Sequence, residues 1–137
     1  SAELILHPGP TVGYRIEDDG ASFGYLPDHE PALAGTIDGK PRDWISGAGI
    51  AGDVDLLLHD AQYFEGEYEE RIGWGHSSVA DAVAFARAVD ARRLVLFHHE
   101  PRHDDSSLER LEARAQTLAG RNGAEATLAR EGMVVEL

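Results

Sequence analysis

The amino-acid sequence predicts an α/β fold, and two observations carry that expectation. Short apolar runs of strand length, at 54–58 and 94–97, are separated by stretches whose apolar residues recur at helical spacing. Before them, the first third of the chain alternates β-branched and aromatic residues around Asp19-Gly20, the pattern of an antiparallel hairpin. With 137 residues and 42% hydrophobic content, one domain with a real core is expected.

In chain order, residues 11–16 read as the first strand and Asp19-Gly20 as its turn. Residues 22–26 return as the partner strand, which Pro27 stops. Residues 31–52 are rich in glycine and proline and read as a loop with one short helix near 44–50. Residues 54–58 form a buried strand. Ser78 followed by Asp81 resembles a capping box, after which Val79, Ala82, Val83, Ala86 and Val89 line one helix face. Residues 94–97 are a second buried strand. Ser106 with Glu109 reads as another capping box, opening a helix with Leu108, Leu111, Ala115 and Leu118 on its inner face. Gly120 and Asn122-Gly123 end that helix. The tail suggests a closing hairpin, 125–128 with 133–137, around Glu131-Gly132.

Composition excludes several functions. Twelve Lys and Arg against 25 Asp and Glu give a formal net charge of −13. A surface that grips phosphates throughout, or a basic helix on a membrane, needs the opposite sign. With no cysteine, disulfide scaffolds, thiolate zinc sites and cysteine nucleophiles are excluded. No apolar run approaches the ~20 residues of a membrane span, and no signal-peptide pattern opens the chain. A cytoplasmic chain without membrane contact is expected. It opens on Ser1-Ala2 and has Met133 as its one methionine, which reads as a processed or truncated chain.

The functional signal follows the strands. Asp28-His29-Glu30, His59-Asp60 and His98-His99-Glu100, with His103-Asp104-Asp105 beyond, each lie at or just past a strand's end. Loops at strand ends of α/β sheets converge polar groups on ligands. A single histidine there is commonly a hydrogen-bonded structural residue; three such clusters together favour a site. Imidazole and carboxylate without thiolate suit divalent Zn, Mn or Fe. Gly47-Ala48-Gly49-Ile50-Ala51-Gly52 matches G-x-G-x-x-G by letter but precedes a strand, so it is no phosphate loop. No G-x-S-x-G elbow occurs.

These motifs resemble the C-terminal half of a metallo-β-lactamase-fold hydrolase, in the branch of ribonuclease Z and small cyclic phosphodiesterases. The fold so implied is the C-terminal βα half of a four-layer αβ/βα architecture, with 1–137 as a single unit. Leu6-His7-Pro8-Gly9-Pro10 leading into Gly13-Tyr14-Arg15-Ile16 is similar to the segment supplying the family's single-His metal motif, which points to His7. Gly24-Tyr25-Leu26-Pro27-Asp28 resembles the strand ending in the metal-bridging Asp, hence Asp28. Leu94-Val95-Leu96-Phe97-His98 resembles the last metal motif, hence His98, with His99 the lesser candidate. Asp60 stands where the family's His-Glu-Ala-Thr segment has its acid, and His76 where its His-Ser-Thr segment has its imidazole. The resemblance implies that Asp60 and His76 form a proton-delivery pair at the leaving group, beside two zinc (or manganese or iron) ions that ionise a water.

The family's H-x-H-x-D-H signature is absent from this chain. The resemblance therefore implies a missing N-terminal half carrying it, and a sheet face that this half, or a second copy, covers. Ribonuclease Z carries a tRNA-gripping arm before the bridging Asp, whereas only a short hairpin separates Ile16 from Tyr25. With the net charge, this disfavours nucleic acid and favours a small phosphodiester cleaved through metal-bound hydroxide. A non-catalytic half-domain used for binding or assembly is the alternative.

Overall fold

The computed structural model describes residues 1–120 and 123–137. One six-stranded sheet holds the described chain together, and its spatial order follows chain order. Strand β1 (Ala2–Ile5) pairs antiparallel with β2 (Thr11–Asp18), and β2 antiparallel with β3 (Ala21–Leu26). Strands β4 (Leu56–Asp60), β5 (Arg93–Phe97) and β6 (Glu125–Leu128) then add in parallel, each beside its predecessor. Because β2 opposes both β1 and β3, every strand except β2 points the same way. The C-terminal ends of those five strands share one edge of the sheet.

The hairpin forms where its sequence demands it. Asp19 (φ 45°) and Gly20 (φ 86°) both adopt the left-handed backbone that a two-residue turn between twisted strands requires. The crossovers carry a 3₁₀ turn (Arg42–Trp44) and four helices: α1 (Ala48–Ala51), α2 (Glu65–Tyr68), α3 (Val79–Ala88) and α4 (Asp105–Ala119). Ser78 caps α3 by accepting from the Asp81 N–H (3.1 Å), as its sequence suggests.

The period-two geometry of the strands sorts the core. Leu26, Leu57, Leu94 and Leu96 point toward the helices and are fully buried with Phe85 of α3 and Leu111 of α4. Each such side chain contributes about 1.5–3 kcal/mol through burial. The alternate residues face the other way, and among the described residues several of them are exposed. Tyr14 (45% exposed) and Ile16 (55%) stand there with Leu4, and Phe23, Tyr25 and Phe97 are only partly buried beside them. Tyr25 stacks against Tyr14 at 6.5 Å and against Phe23 at 6.4 Å, so this open face is aromatic and continuous.

Three expectations shift. The buried strand read at 54–58 runs from Leu56 to Asp60. Asp55 is held before it, its carboxylate accepting from the Ser22 N–H (2.9 Å) and hydroxyl (2.8 Å). Helix α4 is capped by Asp104 and not Ser106: the Asp104 carboxylate accepts from the Ser107 N–H (2.8 Å), and Ser106 donates to the same group. A charged acceptor at 104 opens the helix two residues sooner. The closing hairpin is absent among the described residues. Glu125–Leu128 pairs in parallel with β5, while 133–137 passes the open face as an irregular tail that Arg93 holds by donating to the Glu136 carbonyl (2.8 Å). Gly120 ends α4 as expected, whereas Asn122 lies outside the described residues. Among the described residues, no helix is long and apolar enough to cross a membrane.

Candidate active site

The shared strand direction gathers the ligand-type residues. His7 follows β1, Asp28 follows β3, Asp60 ends β4 and His98 follows β5, all at the same edge. His76 arrives from the segment between α2 and α3. Asp28, Asp60, His76 and His98 each offer a ligand atom, and these four atoms lie within 4.8 Å of one another. The Asp28 carboxylate is 3.4 Å from His98 Nδ1 and 3.9 Å from His76 Nδ1. The His76 and His98 rings stack at 4.7 Å with 21° between their planes. His98 itself has φ 61°, a left-handed backbone uncommon for a residue with a side chain.

His7 stands beside this group and not within it. Its ring meets the His76 ring edge-on at 5.7 Å, and its Nδ1 is occupied by the main chain of Gly9 (3.0 Å to N). His99 turns away, with Nε2 3.4 Å from the Ala129 carbonyl. His103 is engaged by both carboxylate oxygens of Glu67 (3.0 and 3.1 Å).

Asp60 is the most heavily supported side chain of the site. One oxygen accepts from the N–H groups of Gln62 and Ser77, both at 3.2 Å; the other accepts from His76 Nδ1 at 2.6 Å. Burial raises the Asp60 pKa, and the hydrogen bond to His76 works against that rise. For His76, burial acts to lower the pKa, but the hydrogen bond and charge of Asp60, with Asp28 and Glu30, outweigh it and the net shift is upward. Each partner thus favours the charged form of the other, against the cost of burial.

Behind Asp60 lies a buried imidazole pair. His59 Nδ1 sits 2.6 Å from the Asp60 carbonyl, which can only accept, so Nδ1 carries the proton. His59 Nε2 then accepts from His29 Nδ1–H at 2.9 Å. Burial lowers the His59 pKa to about 4, and burial followed by the neighbouring His59 lowers that of His29. Both rings pack against Phe85, His59 at 4.8 Å and His29 at 5.1 Å. They fix the main chain of β4 from the helix side while Asp60 projects to the other face.

Glu30, only 1% exposed, performs the same service for His76. Its carboxylate accepts from Tyr68 Oη (2.7 Å), Gly73 N–H (2.8 Å) and Gly75 N–H (2.7 Å). This pins the segment leading into His76. Gly75 (φ 95°) packs so closely on His7 and Pro8 that any side chain there would overlap both. Sequence reading places Glu30 in a strand-end cluster, but its partners lie 43 and 45 residues further on and leave no local pattern.

The donors that converge here are nitrogen and oxygen only, close enough to share one cation, so a candidate metal-binding group is present and fits a borderline divalent ion. A mixed α/β layer gathers these imidazoles and carboxylates at one edge of its sheet. Residues 2–99 match the beta-lactamase superfamily domain, and the chain belongs to that family. It is 31% identical to a ribonuclease Z of Haloferax volcanii, over 96% of this chain and 40% of that protein. It is 33% identical to the mouse zinc phosphodiesterase ELAC protein 1, over 97% of this chain and 42% of the relative. The crystal structure of human tRNase Z, short form, superposes with a TM-score of 0.66 at 25% identity, covering 98% of this chain and 41% of that one. The chain thus spans about two-fifths of the length of these relatives.

These relatives correct one expectation. Nucleic acid, disfavoured as a partner on net charge and hairpin length, is the substrate class that the names ribonuclease Z and tRNase Z carry. The reason is physical. A charge of −13 is a sum over the whole surface and does not describe the field at one sheet edge, where three imidazoles meet.

Proposed function

We propose that this chain supplies the C-terminal half of a metal-dependent hydrolase that cleaves a phosphodiester of nucleic acid. The observation that carries the reading is the 2.6 Å contact between Asp60 and His76, set beside Asp28 and His98 at one sheet edge. The names of the relatives support the substrate class. Their greater length and the open aromatic sheet face support a missing N-terminal half, docked over Tyr14, Ile16 and Tyr25.

Asp28 and His98, with His7 alongside, are the residues that would hold divalent ions, two of them (zinc, or else manganese or iron) in the intact domain. When bound, such ions supply Lewis acidity: they ionise a water near neutral pH and relieve charge on phosphoryl oxygens. The remaining chemistry belongs to this chain. His76 gives its Nδ1–H to Asp60 and keeps Nε2–H for the leaving oxygen. As the P–O bond breaks, that oxygen takes the bonding pair and then the Nε2 proton. His76 becomes neutral with its proton on Nδ1, still held by Asp60. The Gln62 and Ser77 N–H groups keep the Asp60 carboxylate aligned throughout.

The test uses the protein with its upstream segment present, assayed on bis(p-nitrophenyl) phosphate and a short RNA, with metal content by elemental analysis. Bound divalent metal with hydrolysis of both is expected. Failure to bind metal under excess Zn²⁺ or Mn²⁺ would favour a non-catalytic module.

A further inference from the structure

We propose that Trp74 is a stacking platform for a nucleobase adjoining the scissile phosphodiester, presented by a loop that Glu30 holds rigid; this rests on the nucleic-acid reading of the site. The loop, residues 69–75, joins α2 to His76. Its main chain is locked at successive points. Arg71 N–H donates to the Tyr68 carbonyl (2.8 Å) and Trp74 N–H to the Arg71 carbonyl (3.1 Å). Gly73 and Gly75, on either side of Trp74, both donate to Glu30. Arg71 in turn donates to the Glu67 carbonyl (2.7 Å) and lies over the Tyr63 ring at 5.0 Å.

In the middle of this fixed loop Trp74 is 61% exposed. Burying a carboxylate such as Glu30 is costly unless its oxygens are satisfied, and here the loop's own N–H groups satisfy them. The device holds the loop in place without drawing its largest apolar side chain into the core. Position completes the case. Trp74 is bonded to Gly75, which lies against His7 and Pro8, and neighbouring Cα atoms are about 3.8 Å apart. Trp74 therefore lies in the segment that enters the rim of the site, two residues before His76.

A rigid, exposed aromatic at that rim suits a nucleobase, because every base has a face to stack. It also reconciles an acidic chain with a polyanionic substrate, since stacking holds the base without adding positive charge to the surface. Such stacking changes affinity about 5- to 150-fold per base in single-strand binders.

Two measurements on the protein with its upstream segment present test this. In the metal-free form, fluorescence assigned to Trp74 by comparison with Trp74→Phe should be quenched by a short oligouridylate and not by ribose 5-phosphate. Absent quenching, or equal quenching by both, overturns the proposal. In the metal-loaded form, the ratio of kcat/KM for thymidine 5′-(p-nitrophenyl phosphate) to that for methyl p-nitrophenyl phosphate should fall about tenfold in Trp74→Ala and recover in Trp74→Tyr. A parallel loss on both esters overturns the stacking role. If the parent protein cleaves neither ester, the hydrolase reading fails, and the quenching result alone decides the platform.

Discussion

Histidines in this chain are pushed in opposite directions by their surroundings, and each direction has a measurable consequence. His29 and His59 have folded pKa values below their unfolded ones, so they bind fewer protons folded than unfolded. The contribution of His59 is complete above the unfolded value of 6.5 and is lost as pH falls toward about 4, and His29 acts in the same sense. The metal-free chain should lose stability across that window, on the order of 3 kcal/mol from His59 alone. Urea midpoints at several pH values check this; a flat midpoint would mean that the pair is not buried neutral. His76, raised by Asp60 after burial has acted against it, contributes in the reverse sense: fully below its unfolded value, and lost as pH rises through its folded one. His76→Ala should cut turnover about 10²–10⁴-fold with metal content intact. Loss of metal in that variant would instead make His76 a ligand. His98→Ala should lose both metal and turnover, whereas His103→Ala should retain metal because Glu67 already occupies its ring.

Strand ends were readable because apolar runs stop abruptly at His and Asp: β5 gives way to His98, and β3 to Pro27 and Asp28. Helix α3 was equally legible from Ser78 and the spacing of its apolar face. Starts were less so where two caps compete. Asp104 and Ser106 both offer a cap at the start of α4; the Asp104 carboxylate prevails and Ser106 lies inside the first turn. The Glu30 anchor was not legible, since a buried carboxylate that binds main-chain N–H groups leaves no side-chain signature on its partners. Glu30→Gln presents an NH₂ group where the loop also donates. It should cost about 2–3 kcal/mol of stability and lower kcat while sparing metal content, as read by urea unfolding and elemental analysis. Unchanged kcat would show that the 69–75 segment does not position His76.

Across the whole molecule, total charge does not report the chemistry of one edge. Summed charge describes solubility and long-range steering; it missed the small region where three rings and two carboxylates meet. The aromatic surface of the open sheet face has a testable effect. Expressed alone, the chain should self-associate through Tyr14, Ile16 and Tyr25, and the double variant Tyr14→Lys, Ile16→Lys should sediment as a monomer. A parent chain already monomeric at 100 μM would contradict this.

Five strands that run in the same direction also divide the labour between the sheet's two rims. At one rim lie residues 7–9, 28–30, 60–62, 74–77 and 98–103; at the other lie tight reversals such as Asp19-Gly20 and the bend at Asp53. A laboratory-evolution library confined to the first set could explore new substrates while leaving strand pairing untouched. The Asp19-Gly20 reversal, remote from that set, is the natural place to graft a reporter or a tether.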